Sequence, residues 1–263
     1  MPQTLKTRVG EYQSSAILAS AFEGTVSSAL RVNYTFYEAD GTQISTTNIT
    51  RNTIGMEQFI STKSTANAAK LFQFIPVGYQ NLEDQSFNVN VKPSQNANLA
   101  YYTVNVFDSG VNPYNTKTYR FDVVSDCKYT PVQLAWVNEL GAWDYYTFDL
   151  ASIQQLRIKR DSIRKQYGNW NAGADFTYSF YEGGERVTKI EADKEYTVNS
   201  DWLNDEEFIW LQSLLMSTDV LTPDENGNYV PVIITDNDYT IKKTVNEKLN
   251  SLTLKFKLSH KVR

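Results

Sequence analysis

From Leu30 to Glu38 the chain alternates between apolar and polar positions. Leu30, Val32, Tyr34 and Phe36 face one way, and Arg31, Asn33, Thr35 and Tyr37 the other. That is the period of two of a strand with one buried face. Asp40–Gly41 follows at once as a turn, and Thr42–Ile49 is the predicted return strand. Further strands are predicted at Leu71–Val77, Ser86–Val91, Tyr101–Phe107 and Thr118–Val124. Asn-, Ser- and Pro-containing breaks separate them at Lys92–Asn98 and Asp108–Asn115. Short strands at this spacing imply a sandwich or small barrel.

Val132, Leu134 and Trp136 alternate next, Asn138–Gly141 makes a turn, and Trp143, Tyr145, Tyr146 and Phe148 follow. This predicts an aromatic hairpin whose tryptophans pack across the strands. A basic run comes after it: Arg157, Lys159, Arg160, Arg164 and Lys165, with Asp161 the lone acid. It reads first as a solvated face or the complement of an acidic neighbour. Tyr167–Gly173 reads as a loop and domain boundary, and Phe176–Glu182 as a strand closed by Gly183–Gly184. Tyr34–Glu38 and Tyr178–Glu182 share a five-residue pattern, which a weak internal repeat and common strand chemistry explain equally well. Another strand is predicted within Val187–Val198.

The clearest helix spans Leu203–Ser217. Asn204 is its predicted N-cap, with Glu207 three residues on completing a capping box. Asp205 and Glu206 put negative charge on the first turn, where the helix dipole favours it. Phe208, Leu211, Leu214 and Leu215 form the apolar stripe, which leaves Trp210 pointing elsewhere, toward a partner. Pro223–Gly227 is a turn before the strand Tyr229–Thr235. Leu252, Leu254, Phe256 and Leu258 then alternate with Thr253, Lys255 and Lys257 in a final strand with a basic outer face.

The pattern therefore predicts a mainly β chain: a β-sandwich-like domain over residues 1–150, with the aromatic hairpin at its end, then a smaller β-rich α+β domain with one clear helix over 151–263. The 263 residues suffice for one or two cores. A net charge of −5 argues against a basic nucleic-acid or membrane footprint. No apolar run is long enough for a membrane-spanning helix, and none follows the N-terminal basic residues as a secretion signal would require.

Candidate chemistry is sparse. One cysteine, Cys127, and one histidine, His260, exclude an intrachain disulfide and a histidine- or cysteine-rich metal site. No phosphate-binding loop is present, since Glu182–Glu185 lacks the required Lys and Ser/Thr. Asp205 and Glu207 are explained by capping. Asp236 and Asp238 read as a turn, without the Gly and distal Glu of an EF-hand. No catalytic residue, cofactor or metal is expected. A glycosidase or depolymerase, whose two carboxylates can lie far apart in sequence, ranks third among the functional readings.

Two passages carry a resemblance. CKYTPVQLAWVNELGAWDYYTF (127–148) and the C-terminal passages VNSDWLNDEEFIWLQSLLMS (198–217) and VPVIITDNDYTIKKTVNEKLNSLTLKFKLSHKV (230–262) resemble virion proteins of Bacteroides-infecting tailed phages, the crAss-like group included. Their order of strand, helix, hairpin and long final strand is similar to tail ring and distal-tail proteins. The resemblance covers about half the chain and implies a structural virion protein, assembled in the host cytoplasm into a ring in the tail, neck or tail hub. It implies no enzymatic activity. Its partners would be identical copies, other tail or neck proteins, and DNA in passive transit, with no membrane insertion. Ring contacts join unlike patches. The expected interface residues are Arg157, Arg160, Arg164, Trp170 and Trp210, with the basic segment meeting an acidic turn such as Asp201–Glu207. The alternative is a carbohydrate- or receptor-binding β-sandwich module, for which Trp143 and Trp170 should be exposed and co-planar.

Overall fold

The computed structural model describes residues 2–18, 30–50, 72–84, 92–96, 98–108, 117–125, 128–165, 169–170, 176–177, 184–224, 226–235 and 251–260. In chain order the first elements are β1 (Thr4–Thr7), β2 (Ser14–Leu18), β3 (Leu30–Tyr37), β4 (Gln43–Thr50), β5 (Phe72–Pro76), α1 (Tyr79–Asp84), β6 (Tyr101–Asp108) and β7 (Tyr119–Val123). They are followed by β8 (Val132–Val137), β9 (Trp143–Phe148), β10 (Ile153–Lys165), β11 (Asn169–Trp170), β12 (Phe176–Thr177) and β13 (Gly184–Asn199). The last are α2 (Asp205–Met216), β14 (Val220–Pro223), β15 (Tyr229–Ile234) and β16 (Thr253–Leu258). The chain is mainly β, in several sheets, with one long helix.

The first sheet has the order β1-β7-β6-β3-β4. The period-two pattern of β3 puts Val32, Tyr34 and Phe36 on its buried face, beside Tyr102, Val104 and Val106 of β6 and Phe121 of β7. Ile75, Val77 and Leu82 close this core. Two buried tyrosines satisfy their hydroxyls on that covering segment. Tyr34 donates to the Pro76 carbonyl at 2.8 Å, and Tyr102 donates to the Val77 carbonyl. The segment is itself held to residues 11–13: the Val77 and Gly78 amides both donate to the Gln13 carbonyl. Gly78 permits this approach, because a Cβ there would lie 2.4 Å from the Gln13 nitrogen.

The second sheet has seven strands, β10-β13-β16-β15-β14-β8-β9, with every pair antiparallel. One face carries Leu134, Trp136, Phe148, Val198, Val220, Val232, Leu254 and Phe256, and α2 covers it with Phe208, Trp210, Leu211 and Leu214. The capping box is formed: Asn204 accepts from the Glu207 amide at 2.8 Å, and Glu207 accepts from the Asn204 amide at 3.0 Å.

Two expectations change. The aromatic hairpin β8–β9 joins the sheet of the later strands rather than ending the first one, pairing through β14. Trp136 faces Asp144 and Trp143 faces Val137 across the ladder, so the two tryptophans lie on opposite faces and do not pack together. Trp136 packs instead on Trp210, with ring centroids 5.1 Å apart. The basic segment is itself a strand, β10. The expected strand Ser86–Val91 and the second copy of the five-residue pattern, Tyr178–Glu182, lie outside the described residues.

Candidate functional site

Beyond the sheet, β10 and β13 continue as a two-stranded ribbon. They pair from Ile153↔Thr197 to Lys165↔Gly184, whereas β16 accompanies β13 only over Glu195–Asn199. The part of β13 N-terminal to Glu195 therefore has β10 as its only strand partner among the described residues. At about 3.3 Å per residue this free part is about 33 Å long. Every residue of β10 is exposed. A short β11–β12 pair lies within the connection between the two strands.

The register separates two faces of different chemistry. One carries Arg157 opposite Asp193, Lys159 opposite Glu191 and Asp161 opposite Lys189, with Ile153 and Ile163 at its ends. Arg157 also reaches diagonally to Glu195, Nε to Oε2 at 3.0 Å, and Lys189 pairs with Glu191. Arg186, opposite Ile163, and Lys165 add two cations near the tip, so this face pairs most of its own charge. The other carries Leu156 opposite Lys194, Ile158 opposite Ala192, Arg160 opposite Ile190, Ser162 opposite Val187 and Arg164 opposite Glu185. A bulge between Asp161 and Ser162 keeps the two halves of this face in line by passing over Thr188. Leu156, Ile158, Val187 and Ile190 remain 43–61% exposed, an apolar stripe rimmed by Arg160, Arg164 and Lys194. Toward the body it runs into Tyr196, which stacks on the core residue Phe256 at 5.2 Å.

The expected interface residues are thus divided. Arg160 and Arg164 share the apolar face. Arg157 belongs to the opposite, self-paired face. Trp170 lies in β11, and its side chain is outside the described part. Trp210 is a correction: it is buried between Trp136 and Tyr146, and its Nε1 donates to Asp144 Oδ2 at 2.7 Å. A stripe drawn from Phe208 at helical spacing omits Trp210. The helix is buried over a wider arc because Trp136, Tyr146 and Asp144 from β8 and β9 flank it. Burial raises the Asp144 carboxyl above its ordinary value, while the Trp210 and Asn138 hydrogen bonds act against that shift. Trp143 is half-buried, on the face of β9 opposite to Asp144.

A second exposed patch lies on the outer side of α2. Trp202, Ile209 and Met216 are 64–66% exposed, with Asp205 and Glu206 beside them at the helix N-terminus. Ile209 and Met216 lie seven residues apart, hence on one helix face. That spacing away from the core stripe was the signal available in the sequence. Of the expected acidic turn, Asp201 is already engaged: Lys6 donates to it at 3.3 Å, and the Trp202 amide and Lys6 hold its carboxyl below the ordinary value. Glu207 is used in the cap.

No protein-family model, curated protein or solved structure matches the chain. Among the described residues no group of three or more His, Cys, Asp or Glu is placed to hold a metal ion, and no helix is long and apolar enough to cross a membrane.

Proposed function

We propose that this chain is a structural subunit of a tailed-phage virion that assembles with identical copies into a ring of the tail, neck or tail hub. The observation that carries the reading is the β10–β13 ribbon, a long arm outside the body with a continuous apolar face. An isolated two-stranded ribbon is marginal in water, and an exposed apolar face adds no stability to a lone monomer. A subunit that inserts such an arm into a neighbour gains that burial on assembly. The five-stranded sheet with its covering segment serves as the sandwich-like lobe, and the seven-stranded sheet with α2 carries the arm. Passive passage of DNA past a net-negative ring fits this reading.

The experiment is mass determination of the full chain by native mass spectrometry and sedimentation, alone at high concentration and mixed with its virion neighbours. A discrete closed oligomer under either condition is expected. A chain that stays monomeric under both overturns the reading.

A further inference from the structure

We infer that the apolar face of the β10–β13 arm docks on the outer face of α2 in the next copy, with Arg160, Arg164 and Lys194 meeting the acidic first turn of that helix. This rests on the ring-subunit reading and specifies the contact that builds it. Charge chooses the occupant. Across the ribbon Arg160 faces Ile190 and Lys194 faces Leu156, so neither cation meets an acid directly opposite. Only Arg164 faces one, Glu185. Two arms packed face to face would bring this basic rim against itself. The outer face of α2 offers the complement: Trp202, Ile209 and Met216 as apolar anchors, with Glu206 and Asp205 at one end. Both surfaces stay exposed in the single chain, so they do not meet within it.

Size supports a closed assembly. A two-stranded face about 33 Å long and about 10 Å wide offers roughly 300–400 Å². That is at most about half of the ~800 Å² per partner in a stable pairwise interface. One docked arm is therefore weak. In a ring every copy gives one arm and receives another, and closure makes the contacts mutually reinforcing.

The test uses the full chain in a Cys127→Ser background. Ile190→Cys on the arm and Ile209→Cys on α2 are made separately, mixed and oxidised gently. Cross-linking of one variant to the other is expected, with neither linking to itself. The chain carrying both cysteines should give a ladder of linked copies. In parallel, Arg160→Glu with Arg164→Glu, and Glu206→Lys, should each weaken assembly by roughly tenfold or more, and their combination should restore most of the loss. Circular dichroism checks that each variant is folded. Self-linking of Ile190→Cys would show arm-on-arm packing and overturn the proposal. So would linking of the arm to a different virion protein. Oligomers that form without the arm–helix link, and without rescue by the combined charge reversal, would overturn this contact while leaving the ring-subunit reading intact. Monomers under all conditions would end both.

Discussion

Trp210 donates its indole N–H to Asp144 across the gap between α2 and β9, at 2.7 Å, and both side chains are buried. The bond ties the helix to the hairpin that the sequence had placed with the other half of the chain. It also buries a carboxylate, and that has a measurable pH signature.

Burial raises the carboxyls of both Asp144 and Glu11 above their ordinary values. The folded state therefore holds protons more tightly at these groups than the unfolded chain does. Their contribution favours the folded state at low pH and is lost as pH rises from the ordinary values through the raised ones. Asp144→Asn removes one such group and keeps an acceptor for Trp210. Relative to wild type, the variant's melting midpoint should improve steadily as pH rises from 3.8, the ordinary value for Asp144. A difference that stays flat between about pH 4 and pH 7 would refute the assignment. Asp144→Leu, which leaves the indole N–H buried without its acceptor, should cost about 1–3 kcal/mol at neutral pH.

Leu211 is fully buried on the inner face of α2, and Leu211→Ala should cost about 2–5 kcal/mol in denaturant unfolding. Asn204→Ala removes one side of the capping box and should cost about 0.5–2 kcal/mol. Ile209→Ala, on the outer face of the same helix, should leave the unfolding midpoint within about 0.5 kcal/mol of wild type. Equal losses at positions 209 and 211 would mean that the faces of the helix are misassigned.

Gly78→Ala would drive a methyl group into the backbone of Gln13 and Glu11. A cost of about 1–3 kcal/mol is expected, as for other overpacked sites. Hydrogen exchange should show it first at the Val77 amide, whose bond to the Gln13 carbonyl would be displaced. Unchanged protection at that amide would count against the close approach.

Where a pattern is local, the sequence and the structure agree. The alternation of β3, the turn at Asp40–Gly41, the cap at Asn204 and the alternation of β16 each need only neighbouring residues to be recognised. The aromatic hairpin was recognisable as a hairpin, but its sheet was not. That depends on two ladder pairs between β8 and β14, more than eighty residues apart in the chain. The arm hid for a different reason. Leu156 and Ile158 begin an alternation that Arg160 interrupts, and the apolar stripe then continues on β13 through Ile190 and Val187. Only the cross-strand register brings these halves onto one face. Trp210 was misread because a stripe drawn on one helix ignores the side chains that rise beside it from the sheet.

β1 is four residues long, yet it pairs in parallel with β7, and Leu5 touches the cores of both large sheets. Next to it Arg8 reaches Asp149 at 3.0 Å, at the end of the aromatic hairpin. Residues 4–8 are made long before their partners: Arg120, which pairs with Thr4, and Asp149, which pairs with Arg8, come more than a hundred residues later in the chain. Such distant pairing slows folding. The strands β3, β4 and β6 can meet earlier, so the opening segment acts as a latch that closes late.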